Sequence, residues 1–181
     1  MIQNRPLFIA EVKTLSPFGW KSSKTWDELF ELANQHGDIL SIHTDSRWGG
    51  SLDLIRTARS RTSKPILAKG IHALDKDVQE ALDAGADMVL VVGRIPGIYL
   101  EKCLIEPYTV AEMQSYPANT KVVWNSRDLT TGGYKTETFE QARSIWPGWL
   151  CQASNIRTKE DVKTGADALL VGTHLEEYIA S

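Results

Sequence analysis

Two acids and two lysines fall where apolar segments should not place them. Glu11 and Lys13 sit two residues apart in "LFIAEVK", Lys69 ends "PILAK", and Glu106 ends "CLIE". Side chains alternate faces along a strand, so Glu11 and Lys13 share a face with Ile9, while Ala10 and Val12 share the other. Ionised groups are costly to bury unless paired, and Glu11 beside Lys13 or Lys69 meets that requirement. The same packing can tune a lysine ammonium into a proton donor. Other polar residues stand at or just after the ends of apolar runs: Ser16, Asn125, Arg127, Ser154, Asn155, Gly172 and Thr173. Two lysines, an arginine and two carboxylates gathered at one mouth would suit proton transfer on an anionic substrate.

The elements that must gather them are eight short apolar runs: "LFIAEVK", "ILSIHT", "PILAK", "MVLVV", "CLIE", "KVVWN", "WLCQAS" and "ALLVG". Amphipathic segments lie between them. "SKTWDELFELANQHG" puts Trp26, Leu29, Phe30 and Ala33 on one helical face, with Gly37 as C-cap. "LDKDVQEALDAG" repeats the pattern with Val78, Ala81 and Leu82, and "TETFEQARSIW" and "TKEDVKTG" follow. "RTARSR" reads as the solvated face of a second helix. Strand–helix alternation implies a parallel sheet with crossover helices. Eight strands favour a closed (β/α)8 barrel over an open doubly wound sheet. "GADMVLVVG" from Gly85 and "GADALLVG" from Gly165 support closure, because four strands begin within one such period. The alternative is that both are generic helix–turn–strand junctions.

A (β/α)8 barrel typically takes ~250 residues, and this chain has 181. The expected fold is therefore a minimal α/β TIM barrel filling one domain, residues 1–181. "GRIPGIYLEK" is too short for a full fourth helix, and the seventh and eighth helices should be short too. In such a barrel the chemistry lies at the C-terminal strand ends. The loops after strands seven and eight suit phosphate, through backbone N–H groups, close approach at Gly172, and the hydroxyls of Ser154 and Thr173.

Bulk composition excludes several classes. A formal charge of −3 argues against a general nucleic-acid binder. No apolar run nears the ~18 residues of a membrane span, and "MIQNRPLFIAEV" lacks a signal-peptide pattern, so a cytoplasmic protein is expected. Cys103 and Cys151 form no CxxC pair and read as reduced core residues. His43 and His72 lack a metal-ligand spacing and are expected to line the pocket or the surface. Trp48, in "DSRWGGS", reads as a tryptophan packed against the barrel rim.

"IAEVKTLSP", "PILAKGI", "LIEPY", "NSRDL" and "SNI…DALLVG", in this order, resemble indole-3-glycerol-phosphate synthase, an enzyme family of tryptophan biosynthesis. The similarity runs from Phe8 to Leu175. It implies a (β/α)8 lyase that closes the pyrrole ring of 1-(2-carboxyphenylamino)-1-deoxyribulose 5-phosphate with loss of carbon dioxide and water. It makes Lys69 the general acid and Glu106 an acid/base group, with Glu11 and Lys13 setting the electrostatics and engaging substrate. Ser16, Trp48, Asn125 and Arg127 fall on substrate-contacting positions, and Ser154, Asn155, Gly172 and Thr173 on the phosphate end. No metal or organic cofactor is implied. The partner is a phosphorylated small molecule, and the protein is expected as a monomer or weak homodimer.

The chain departs from the family in four places. E-S-G-I becomes "ASNI", putting Ala153 where the family has a glutamate and Asn155 where it has glycine; K-D-F becomes "KGI"; S-P-S-K-G becomes "SPFGW"; and the family's N-terminal extension is expected to be reduced or missing. These departures support a second reading, a diverged barrel that binds a sugar phosphate or another small anion without this chemistry. A sister isomerase of the same pathway would call for a cysteine near the end of strand one, where Glu11 and Lys13 stand.

Overall fold

The eight apolar runs become eight parallel strands that close on themselves. In the computed structural model, which describes residues 5–181, these are β1 (Leu7–Val12), β2 (Ile39–His43), β3 (Ile66–Lys69), β4 (Met88–Val92), β5 (Cys103–Glu106), β6 (Lys121–Asn125), β7 (Leu150–Ala153) and β8 (Ala168–Val171). Each pairs with the next, and β8 returns to β1 through Leu7↔Ala168 to Ala10↔Val171.

Period-two alternation then sorts the side chains. Ile9, Ile39, Leu67, Leu104, Val123 and Leu170 fill the barrel interior as one buried cluster. Residues two further along each strand share that inward face. Glu11, Ser41, Lys69, Glu106, Asn125 and Gly172 therefore form the next layer up, at the C-terminal ends. The opposite faces, including Ala10, Val12, Leu40, Ile42 and Ala68, pack against the helices.

Among the described residues, five α-helices line the outside: α1 (Trp26–His36), α2 (Leu52–Arg61), α3 (Asp75–Asp83), α4 (Phe139–Ile145) and α5 (Leu175–Ala180). α1 starts in a capping box, with Thr25 and Glu28 each accepting the other's backbone N–H. Gly37 caps its C-terminus as expected, but at φ −74 rather than in the left-handed region. Glycine stands there because a Cβ would lie 2.8 Å from the Cβ of Ala10. The fourth crossover shrinks to the 3-10 turn Leu100–Lys102, as its length dictated. "TKEDVKTG" forms only the 3-10 turn Lys159–Asp161, and the fifth crossover, which the sequence left open, is the 3-10 segment Ala111–Ser115.

The floor of the barrel carries a repeated staple. Asp38, Asp87 and Asp167 each precede a strand, β2, β4 and β8. Each carboxylate accepts the backbone N–H near the start of the preceding neighbour strand, from Phe8, Ile66 and Leu150, all at 2.8 Å. Each is also paired with an arginine: Arg5 at 2.8 Å, Arg59 at 2.9 Å and Arg143 at 3.2 Å. Two of these aspartates belong to the "GAD" repeats, so those repeats mark equivalent junctions on opposite sides of the ring.

Phe30 of α1 is 1% exposed and stacks on Trp26 with ring centroids 5.2 Å apart. Phe30→Ala should cost about 3–5 kcal/mol, read as a lowered urea midpoint with an unchanged m-value.

Candidate active site

The upper layer converges on one buried carboxylate. Glu11 is 3% exposed, and its Oε1 lies 2.8 Å from Lys69 Nζ and 2.8 Å from His43 Nε2. Both are close charge contacts outside hydrogen-bond alignment, since neither Oε1 nor either ring nitrogen of His43 has a hydrogen-bond partner. Oε2 fills the space where a side chain on residue 172 would start: a Cβ there would come within 1.7 Å of it. The glycine that the sequence suggested for close phosphate approach is thus already required by Glu11.

Lys13, just past the end of β1, donates to Thr173 Oγ1 at 2.6 Å, and its ammonium lies 5.0 Å from the ring centre of Trp20. Across the mouth, Asn125 Nδ2 donates to Glu106 Oε1 at 2.7 Å, and Asn125 Oδ1 accepts the backbone N–H of Arg127 at 3.0 Å. Arg127 in turn donates to the Gly132 carbonyl at 2.8 Å. Ser154 and Asn155 both have positive φ, 66 and 56. The Asn155 amide donates to Ser126 Oγ at 2.7 Å, which turns its side chain toward β6.

Two adjoining pockets result, sharing Trp48, Lys69, Asn125 and Leu129. The outer one is lined by every residue expected from the sequence except Glu106, including Lys13, Ser16, Arg127 and Thr173. The inner chamber is lined by Glu106, Lys69, His43, Trp48, Ile71 and Leu129 among others. Trp48 is buried and stacks on His43, with rings 5.5 Å apart and 3° from parallel. Phe18 meets Trp48 edge-on at 6.4 Å. Sequence reasoning missed His43's place beside Glu11. The period-two spacing from Ile39 through Ser41 carried that signal. His72 is held at both ring nitrogens, by the Leu90 carbonyl at 2.5 Å and Thr44 Oγ1 at 3.0 Å, so it is tied into the fold.

The electrostatics follow from burial and pairing. Burial alone would raise the pKa of Glu11, but Lys69, Lys13 and His43 outweigh it and hold the carboxyl well below its usual range. Burial pulls Lys69 down, yet Glu11 and Glu106 leave it above the ordinary lysine value. Lys13 is lowered to about 8, chiefly by burial, with Glu11 opposing and Lys69 and Arg127 adding to the drop. Burial raises Glu106 despite Lys69 and the Asn125 hydrogen bond. Two carboxyls in one mouth are therefore driven in opposite directions, the pattern that separates acid from base roles. Among the described residues, no group of three or more His, Cys, Asp or Glu could hold a metal ion, and no helix is long and apolar enough to cross a membrane.

A closed (β/α)8 barrel with a buried acid–ammonium cluster at its C-terminal mouth has the build of a barrel enzyme. Its fold is shared by a solved 3-hexulose-6-phosphate synthase, with a TM-score of 0.66 and 16% identity over 96% of this chain and 98% of that one. The family model described as "Indole-3-glycerol phosphate synthase" matches residues 1–178. Curated proteins of that name include one from Sulfurisphaera tokodaii, 27% identical over 92% of this chain and 77% of the relative. Another, from Mycobacterium ulcerans, is 31% identical over 92% of this chain and 70% of its own length. The chain belongs to the indole-3-glycerol phosphate synthase family.

Glu11→Gln leaves Lys69 and Lys13 without their shared counter-charge, so the fold should lose about 3–5 kcal/mol at neutral pH. Because the folded pKa of Glu11 is depressed, its contribution is fully present above the unfolded carboxyl value near 4.5 and fades as pH falls below it. Urea midpoints followed downward from pH 5 should fall more steeply in the wild type than in Glu11→Gln.

Proposed function

We propose that this protein closes the indole ring of 1-(2-carboxyphenylamino)-1-deoxyribulose 5-phosphate, releasing carbon dioxide and water. The observation that carries the reading is the Lys69 ammonium, held 2.8 Å from buried Glu11 in a chamber it shares with Glu106. Membership of the family supports it.

In this mechanism Lys69 gives a proton to the ketone oxygen of the substrate. The carbonyl carbon then accepts the aromatic carbon that bears the carboxylate. The carboxylate leaves as carbon dioxide, and the electron pair of the broken bond returns to the ring. The new hydroxyl departs as water with a proton from Glu106, whose raised pKa suits it to hold one. Glu106 recovers a proton from the ring carbon that becomes unsaturated, and solvent restores Lys69. Asn125 fixes the Glu106 carboxylate for both transfers. Lys13 and Thr173, already joined at 2.6 Å, take the substrate phosphate with the Gly172–Thr173 backbone. Ser154 and Asn155 stand beside them, while Ser16, Arg127 and Trp48 contact the rest of the molecule. The protein works as a cytoplasmic, single-domain enzyme, monomeric or weakly dimeric, with no metal or organic cofactor.

A second reading draws on the end of β7. Ala153 is 1% exposed where the family resemblance leads one to expect a carboxylate. A mouth short of one acid favours a barrel that binds a sugar phosphate without turning it over.

Incubation with the carboxyphenylamino-deoxyribulose phosphate separates the two. Indole fluorescence should rise with wild-type protein and fall at least a hundredfold in Lys69→Ala. Equal rates in the two would refute the synthase reading, and stabilisation by many sugar phosphates without turnover would favour the second. A separate expectation concerns pH. Because burial lowers the Lys13 pKa to about 8, KM for the phosphorylated substrate should climb above pH 8, and Lys13→Arg should carry the low-KM range to higher pH.

A further inference from the structure

We infer that His43 is a positioning residue for the Lys69–Glu11 pair, keeping the Glu11 carboxylate in place when Lys69 turns its proton toward substrate. This rests on the synthase reading above, in which Lys69 is the acid.

His43 ends β2 on the inward face, 4% exposed. Its Nε2 and the Lys69 ammonium stand at the same distance, 2.8 Å, from the same oxygen of Glu11. The ring is fixed by Trp48, stacked nearly parallel on it. Its backbone is fixed by the turn that follows β2. Ser51 N donates to the His43 carbonyl at 3.1 Å, and any Cβ on Gly50 would come within 2.3 Å of that carbonyl oxygen. A side chain clamped this firmly beside a reactive pair sets geometry.

The chemistry explains the need. While Lys69 rests on Glu11, the buried carboxylate has its counter-charge. When the ammonium shifts toward a substrate oxygen, that contact weakens, and an uncompensated buried carboxylate is strongly unfavourable. An Nε2–H of His43, already 2.8 Å from Oε1, turns into hydrogen-bond alignment with it as Lys69 leaves, so the departure costs less and the carboxylate does not follow. A neutral ring does this best, since a third cation beside Lys69 and Lys13 would repel both. The groups facing the ring are Glu11 from β1, Lys13 just after it, Lys69 from β3 and Asp45 from the loop after β2. Burial lowers the pKa of His43 and outweighs the pull of Glu11, which keeps it uncharged at neutral pH.

Two substitutions test the role. His43→Leu removes the ring nitrogens and keeps apolar bulk, whereas His43→Gln returns an N–H donor near the position of Nε2. We expect kcat to fall about tenfold or more in His43→Leu with KM within twofold, and most of it to return in His43→Gln. Two measurements do not need turnover. Imidazole 15N shifts of the wild type should report a neutral ring with its proton on Nε2 at pH 7. The Lys69 side-chain 13C titration should move to higher pH in His43→Leu, where Glu11 is left to Lys69, and return in His43→Gln. A proton on Nδ1, or a Lys69 titration unchanged in His43→Leu, would overturn the inference. Equal losses of kcat in the two variants would overturn it as well. If the wild type lacks turnover, the synthase reading fails, and the two resonance measurements still decide the place of His43.

Discussion

One buried carboxylate organises this molecule. Glu11 sits on the inward face of β1, below solvent, and draws Lys69 from β3, His43 from β2 and Lys13 from just past the end of its own strand. These partners come from β1, β2 and β3, which are neighbours in the sheet, so the pairing of consecutive strands supplies them. Closure also brings β8 beside β1, and only glycine at position 172 leaves room for the carboxylate. The acid–ammonium cluster thus constrains the mouth twice, through the order of the first three strands and through the seam where β8 meets β1. Its charges are enclosed by partners rather than by water.

The rim answers to different forces. After β1 the chain folds into a small hairpin, with Leu15 bridged to Lys21 and Ser16 N bonded to the Trp20 carbonyl. That hairpin places Trp20 over Lys13 and Phe18 against Trp48. Phe18 also leans on Gly132 of the loop after β6, where a Cβ would come within 2.5 Å of its ring. Three loops from distant parts of the sequence meet through one aromatic side chain. The residues that replace the family's loop lysine are therefore structural members of the rim, touching both the aromatic wall of the inner chamber and the ammonium above it.

Much of this was legible in the sequence because a strand's period of two is rigid. Once Ile9 is read as interior, Glu11 and Lys13 must follow it inward, and the same step leads from Leu67 to Lys69 and from Leu104 to Glu106. His43 obeys the same rule from Ile39, but a histidine at a strand end has many uses, and its meaning came from a partner 32 residues away in the chain. The space at Gly172 was legible as a need for a small residue and not as a need imposed by Glu11, since nothing local encodes the contact. The crossovers were read by length, which succeeded at Leu100–Lys102 and left Ala111–Ser115 open. "TKEDV" has helical composition, yet the hydrogen bonds that Asp161 accepts from Arg157 N and Thr158 N close a tight turn there.

The aspartate staples of the floor bear on how the ring is assembled. Each one joins a strand to its immediate successor, and each arginine that buttresses it comes from the same neighbourhood of the chain. The floor is thus sewn pair by pair, with no stitch that runs between the half containing β3 and β4 and the half containing β7 and β8. Connectivity along the polypeptide and adjacency round the ring are separable properties here. What the staples specify is who stands next to whom, and the route by which the chain travels from one pair to the next is left to the loops.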